Sequence, residues 1–470
     1  MSEPAAALRS ERDLLGELAV PADDLTGIHA RRAAVFDLAG RPVHPALIRG
    51  IAVVKRAAAR AARHAGTLDE RRCQAIDEAA SEVASGRWDH LVTCDAWQGG
   101  AGTALHMAIN ELIANRACQL LGGRPGDRQL CDPHEHVNRH QSTNDVVPTA
   151  LRIAAIHGVR RLEEAVTRLQ EACQDRERAF ADIVCLGRTE MMDAVLITMG
   201  RRIGAWADAF GRDRWRLSKC EERLRVVNLG GTAVGTGIGA PRAYIFRAVE
   251  ELRALTGLPL ARAENLMDGT ANADALAEVA GIIGALAANL IKVADDLRLL
   301  ASGPDGGIGE LVLPAWLEGS SLMPGKINPV IPEAVVQAGL AWLADQQTIV
   351  HACARGSLEL NPYLPLIADR LLHGCDALAR ACRALAERCL AGLAVDRAAC
   401  ARHAAAITAE ATALAARLGH QQAGELAQAA RASGQRVREL AIARGLIDAE
   451  AFAALTAPAA VLRLGQEHAP

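Results

Sequence analysis

Apolar residues recur three and four positions apart over long stretches of this chain, with short polar clusters between the stretches. That period marks amphipathic helices. Over residues 45–123 Ala and Leu alternate with charged residues in this way, interrupted by a Gly-rich turn at residues 95–102. A long helix follows, with Leu162, Val166, Leu169 and Cys173 as its core stripe. Gly187-Arg188-Thr189-Glu190 breaks it, and the pattern predicts helix again over residues 192–226. Around the apolar run 279–288, residues 274–300 are apolar on nearly every face, which predicts a helix in the middle of a bundle. The run itself is too short to span a bilayer, so no membrane insertion is expected. Residues 333–391 read as helix, and the shorter helices and turns from Val395 onward read as a small end domain. The opening Met1-Ser2-Glu3-Pro4 reads as a disordered lead.

Composition narrows the fold. Apolar residues make up 50% of the chain but aromatics only 3%. The core must therefore be Ala, Leu and Val packed closely, which suits helices lying against helices. Lys and Arg number 52 against 55 Asp and Glu, and the two signs are interleaved, so no basic face points to nucleic acid. The 12 cysteines include no CxxC pair and no zinc-finger spacing. With no secretory pattern at the start, they read as reduced thiols of a cytoplasmic protein.

Three polar breaks carry the candidate chemistry. In the first, Gln98-Gly99-Gly100-Ala101-Gly102 leads into a helix opening at Thr103, which is either an anion contact at a helix N-terminus or simply its cap. The second holds His134, His136 and His140 and ends in Gln141-Ser142-Thr143-Asn144-Asp145. His136 and His140 are spaced to share a helical face, yet no paired carboxylate–His motif accompanies them, and no metal is expected. The small polar side chains that close this run prefer turns and caps, and they suit a polar pocket wall. The third is Gly319-Ser320-Ser321-Leu322-Met323-Pro324-Gly325-Lys326-Ile327-Asn328-Pro329. Its Gly and Pro content forbids a helix or strand interior, while its prolines stiffen it. Such a loop could hold Ser320, Ser321, Lys326 and Asn328 around a small anion, or merely link two helices. The Gly-rich residues 230–239 lack the strand–helix context of a dinucleotide site.

Together these segments resemble the aspartase/fumarase superfamily. The match also takes in Gly187-Arg188-Thr189, Asp193-Ala194-Val195, Gly231-Thr232-Ala233-Val234-Gly235, Asp296-Leu297-Arg298, Gly419-His420 and Gly27-Ile28-His29, in order along nearly the whole chain. Ser142-Thr143-Asn144 and Asn328-Pro329-Val330-Ile331-Pro332-Glu333 look more like aspartate ammonia-lyases than fumarases. The resemblance implies a mainly α, three-domain lyase. Its parts would be an N-terminal helical domain (1–145), a central long-helix bundle with the flexible catalytic loop (146–394) and a small C-terminal domain (395–470). It also implies a homotetramer with a twenty-helix core, in which three subunits share each active site.

Such lyases take a proton from a carbon beside a carboxylate and then expel a group from the neighbouring carbon. Charge flows onto the carboxylate, so preorganised donors around it are the main lever. By resemblance Thr103, Ser142, Thr143 and Ser321 supply those hydroxyls. Ser320 would be the general base, its alkoxide stabilised by Lys326 and the loop's backbone N–H groups. Asn144, Thr189, Lys326 and Asn328 would hold the leaving-group side and the second carboxylate, with help from Arg32. No cofactor is implied, and activation by a divalent cation is left open.

Departures from the family pattern leave the substrate open. Glu190 stands where relatives carry Gln or His, His106 replaces an Asn, and Asp132 stands where fumarases usually have His. A carboxylate about 4 Å from a substrate carboxylate costs roughly 4 kcal/mol at an effective dielectric near 20. That is on the order of a thousandfold in affinity. Glu190 is therefore protonated, paired with Arg32 or His106, opposite a cation or N–H on the substrate, or turned away. Release of ammonia or an amine from aspartate is the default. The alternatives are a trimethylated histidine betaine such as ergothioneine, an N-substituted aspartate, fumarate hydration, or a retired crystallin-like structural protein. Ser320, Lys326 and Asn328 are all present, which argues against retirement.

Overall fold

The computed structural model describes residues 7–463 and 465; the lead of residues 1–4 lies outside them. The chain is mainly helical, and its strands among the described residues occur as two-stranded pairs. The long helices are α1 (Pro45–His64), α2 (Glu70–Ala84), α3 (Thr103–Leu120), α4 (Thr143–Ala179), α5 (Met199–Leu224), α6 (Arg242–Thr256), α7 (Asp274–Leu300), α8 (Val330–Cys353) and α9 (Leu364–Leu385). Two compact units result. Among the described residues, the first takes 7–162 together with Arg216–Ala285 and Ala341–Ala377, and the second takes Glu163–Trp215, Leu286–Leu340 and the described residues from Leu378 onward. Each of α4, α5, α7, α8 and α9 runs from one unit into the other.

In the first unit, α1 starts with Pro45 at its first turn, and the His44 Nδ1 accepts the Ala46 N–H at 3.1 Å. This is the position where a missing proline N–H costs nothing. Leu47, Ile48, Ile51, Val54, Ala58 and Ala62 are buried as α1 packs on α2 and α6. At Gly50 a Cβ would lie 2.7 Å from the Ala150 carbonyl oxygen, so α1 and α4 meet backbone to backbone. This close approach is how a core with few aromatics fills its volume.

The second unit departs from the periodicity in one place. Residues 192–198 are strand, not helix: β1 (Val184–Thr189) and β2 (Met192–Thr198) form an antiparallel hairpin, and helix resumes only at Met199. The β-branched residues in Val195-Leu196-Ile197-Thr198 fit a pleated surface better than a helix. A bulge at Gly187 interrupts the ladder, and a Cβ there would lie 2.9 Å from the Val195 carbonyl oxygen. A second hairpin, Leu8–Asp13 with Gly16–Pro21 in the first unit, was not foreshadowed by the helical pattern either. Helix over 333–391 is also broken, between α8 and α9. There the Asn361 Nδ2 donates to the carbonyls of Ala352 and Cys353 at 3.1 and 3.0 Å and closes the end of α8.

α7 is long and apolar enough to cross a membrane by length and composition, and half of its most apolar window is buried inside the chain. Toward the C-terminus, helices Ile407–Leu418, His420–Ser433, Val437–Ala443 and Ala449–Thr456 close on Leu414, Leu426, Val437 and Phe452.

Candidate active site

In the first unit the polar run at 141–145 becomes the N-terminus of α4. The Ser142 Oγ accepts the Asn144 N–H at 3.2 Å, and the Asp145 Oδ1 accepts the Ser142 N–H at 3.0 Å, a reciprocal cap. The other Asp145 oxygen accepts the N–H groups of Gly230 and Thr232 at 3.1 and 3.0 Å. One buried carboxylate thus ties the Gly-rich loop to the start of the helix. Burial raises its pKa to about 6, against the pull of those N–H donors. Pro148 lacks the N–H that would bond the Asn144 carbonyl, and the Asn228 Nδ2 donates to it instead at 3.0 Å. The Asn144 Nδ2 in turn reaches the Ala233 carbonyl at 2.8 Å. The glycine-rich segment is a scaffold for residues 142–144.

Gly102, at φ 92°, caps α3, so Thr103 is its first residue and not the cap. The Thr103 Oγ1 donates to the Gly100 carbonyl at 2.6 Å. His106 is placed differently from the expectation of a substrate contact. It is 1% exposed, its Nδ1 lies 2.9 Å from the Thr143 Oγ1, and its Nε2 lies 2.5 Å from the Lys55 Nζ. With both ring nitrogens engaged inside the unit, it backs Thr143 and offers neither nitrogen to a ligand. Lys55 was missed by the sequence reading, although a lysine within the α1 stripe of Ile51, Val54 and Ala58 is a visible anomaly. Arg32 holds Asp13 through two bonds, Nε to Oδ2 at 2.5 Å and Nη2 to Oδ1 at 2.8 Å, so a substrate carboxylate there competes with Asp13. The three histidines of the second break do not converge. The His136 Nδ1 accepts the Asp132 N–H, while the His140 ring bonds the Gly239 carbonyl and the Thr67 hydroxyl. Among the described residues no group of three His, Cys, Asp or Glu is placed to hold a metal ion.

In the second unit the 319–329 loop is exposed over most of its length and closed by its own backbone. The Gly319 N–H donates to the Lys326 carbonyl at 2.7 Å, and the Asn328 Nδ2 donates to the Gly319 carbonyl at 2.6 Å. The Ser320 Oγ accepts two N–H groups, from Leu322 at 3.1 Å and Met323 at 2.9 Å. Among the described residues the Ser321 hydroxyl, the Lys326 ammonium and the Glu190 carboxylate have no hydrogen-bond or ion-pair partner. A Cβ on Gly319 would lie 2.1 Å from the Lys326 carbonyl oxygen. Gly319→Ala should therefore open the loop and lower turnover by about 10²-fold, the scale of a catalytic group displaced by an ångström. Its thermal unfolding midpoint should stay near wild type; steady-state kinetics beside a melting curve checks both.

Thr189 ends β1, and Glu190 and Met191 form the two-residue turn into β2, at φ 53° and 65°. Such turns are normally built from Asn and Gly. Behind the turn, the Arg188 Nη2 donates to the buried Glu310 Oε1 at 2.9 Å. The Arg202 Nη1 reaches Oε2 at 3.2 Å, and the His403 Nδ1 lies 2.9 Å from Oε1. Burial raises the Glu310 pKa, but these partners outweigh it and hold the carboxyl below its ordinary range. Thr103, Ser142, Thr143, Asn144, His106 and Arg32 thus belong to one unit, and Thr189, Glu190, Ser320, Ser321, Lys326 and Asn328 to the other.

Residues 16–341 match the model of the family described as Lyase, and residues 411–463 match the fumarase C C-terminus. The chain belongs to the aspartase/fumarase family of lyases. An aspartate ammonia-lyase from Bacillus sp is 37% identical to this lyase over 444 residues, covering 94% of this chain and 95% of that protein. A class II fumarate hydratase from Myxococcus xanthus (strain DK1622) is 36% identical over 447 residues, covering 95% of this chain and 96% of that protein. A crystal structure of a fumarate lyase:delta crystallin from Brucella melitensis bound to cobalt superposes with a TM-score of 0.93 at 41% identity, covering 96% of the lyase and 99% of that chain.

Proposed function

We propose that this lyase is a carbon–nitrogen lyase that catalyses anti β-elimination. It releases ammonia or an amine from aspartate or a related amino acid and leaves an unsaturated acid such as fumarate. The observation that carries the reading is the pair of backbone N–H groups on the Ser320 Oγ. A serine is a base only as an alkoxide, and donors already aimed at its oxygen favour that charge without reorganisation. Lys326, with no competing partner among the described residues, adds a cation on the same loop. Ser142, Thr143 and Ser321 hold the carboxylate that gains charge, Thr103 joins them once its hydroxyl turns from the Gly100 carbonyl, and the N-termini of α3 and α4 favour it. Asn144, Thr189 and Asn328 take the leaving-group side. The reading needs no cofactor, because hydroxyls, N–H groups and one ammonium suffice. It takes the active form as a cytoplasmic homotetramer whose three domains place segments from three subunits at each site. Sedimentation at four times the chain mass supports that assembly, and full activity in a monomer overturns it.

A second reading keeps the mechanism and changes the substrate. Glu190 and Met191 sit in the left-handed region, where non-glycine residues are strained, and strain of this kind persists where function holds it. A carboxylate kept there without a partner among the described residues suits a substrate with a cation or N–H at its distal end. Ultraviolet absorbance of the unsaturated product separates the readings when the lyase meets aspartate, N-substituted aspartates, malate and trimethylated histidines. Turnover of aspartate alone supports the default, and turnover of only a cationic analogue supports the second. Malate turnover without amine release would instead make it a hydratase. On the second reading Glu190→Gln shifts the ranking of these substrates by about tenfold or more; an unchanged ranking removes Glu190 from specificity.

A further inference from the structure

Lys55 lies in the middle of the α1 apolar stripe, wholly buried, and the chemistry above makes no use of it. Its Nζ has three neighbours: His106 Nε2 at 2.5 Å, Gln141 Oε1 at 2.8 Å and Asn138 Oδ1 at 2.9 Å. Both amides are oriented from their other ends. The Gln141 Nε2 donates to the carbonyls of Val137 and Arg139 at 3.0 and 3.1 Å, and the Asn138 Nδ2 donates to the Gln141 carbonyl at 3.3 Å. Two amine N–H groups therefore go to amide oxygens, which only accept. The third direction meets His106, whose other nitrogen faces the Thr143 Oγ1.

Burial, with the charges of Lys55 and His134, pushes the His106 pKa well below the usual value, so at neutral pH the ring carries a single N–H. Burial also lowers the Lys55 pKa well below the usual value, while Asp145 favours its charged form. The ammonium has a third N–H left for Nε2, whereas a neutral amine would turn its lone pair there and draw the ring proton to Nε2. Which nitrogen of His106 holds the proton then decides where the Thr143 hydroxyl points. With the proton on Nδ1, the ring donates to Oγ1 and the hydroxyl proton is free to face a ligand. With the proton on Nε2, Nδ1 accepts the hydrogen bond from the Thr143 hydroxyl, and Thr143 turns lone pairs on an anion.

We propose that Lys55 and His106 are positioning residues for Thr143: Lys55, as the ammonium, donates its third N–H to Nε2, the ring holds its proton on Nδ1, and the Thr143 hydroxyl proton points at the anion bound over the start of α4. This rests on the reading of Thr143 as a donor to the substrate carboxylate. His106, the departure from the family's Asn, thereby gains a role behind the site instead of within it.

A double-mutant cycle with a spectroscopic control tests it. Lys55→Met keeps the chain length of the side chain and removes the N–H groups; it should lower kcat/KM by about tenfold or more, as loss of an oriented donor does. In a Thr143→Val background the same change should cost less than about twofold, because residues acting through one another are not additive. Costs that multiply would overturn the proposal. Solid-state ¹⁵N spectra of ring-labelled histidine in the unliganded wild type, with His106 identified by its loss in His106→Gln, should show a protonated Nδ1 and a bare Nε2. A protonated Nε2 overturns the proposal even in an active enzyme. The expected tautomer in a protein that turns over none of the substrates above means that the proposed reaction has failed while the setting of His106 and Thr143 by Lys55 stands. The wild-type spectrum also decides the matter if Lys55→Met does not fold.

Discussion

Ser320→Ala should lower turnover by about 10³-fold, in the range set by loss of a general base, with little change in the unfolding midpoint. The Oγ makes no contact that holds the rest of the unit together; its partners are the two N–H groups of its own loop. Ser321→Ala should be the milder change, since that hydroxyl serves as one donor among several around a carboxylate. Single-turnover measurement of product absorbance under saturating substrate separates the two, because it reports chemistry without product release. Larger damage from Ser321→Ala would exchange the roles of the two serines. Retention of more than a tenth of wild-type turnover in both would remove the loop from proton abstraction.

The second large effect lies behind the Glu190 turn. Glu310→Ala should destabilise the protein by about 1–3 kcal/mol, because it strips the shared partner from two arginines that remain half-buried. Arg188 and Arg202 would be left facing one another across an empty site, with His403 beside them. Urea unfolding at neutral pH reads the loss as a fall in midpoint at constant slope. The pH dependence has a definite sign. The Glu310 carboxyl is held below its ordinary value of 4.5 in the folded chain. Its contribution is therefore fully present above that value and is lost as pH falls through the lower, folded value. Wild type should show that extra loss on the acid side and Glu310→Ala should not. Equal midpoints at neutral pH would mean that the arginines find other partners. Because Arg188 precedes Thr189 and Glu190, the variant should also blur substrate discrimination at whatever turnover remains.

The helices were legible because a buried stripe imposes its period on the residues that make it. Leu162, Val166, Leu169 and Cys173 are all fully buried, as their spacing requires. The hairpin at 184–198 was not legible for two reasons. Its β-branched run is short, and its turn is Glu190-Met191, which carries none of the Asn or Gly that normally announces one. The break between α8 and α9 did leave a sign, Asn361-Pro362 followed by Pro365, which the apolar period on either side masked. At the site, the reactive loop could be read because glycine, proline and hydroxyl residues within one short segment exclude most other roles. The support beneath it could not. Asn228 and Asn144 lie 84 residues apart in sequence, and nothing local says that one amide replaces the N–H missing from Pro148. Lys55 and His106 are likewise far apart in the chain. What placed them together is the packing of α1 on its neighbours, which periodicity predicts as a face but not as a set of pairs.

The passage of α4, α5, α7, α8 and α9 from one compact unit into the other bears on how such an enzyme can change over generations. Modules are traded between proteins at linkers, where few bonds are cut. Here none of the five crossings is a linker. A fragment ending at any of them stops in mid-helix, with a turn of carbonyl and N–H groups left unpaired. At these crossings recombination has no clean place to exchange one unit for another, and grafting in the laboratory meets the same obstacle. New specificity is left to arrive one side chain at a time, at positions such as Glu190 and His106, while the framework around them is inherited whole.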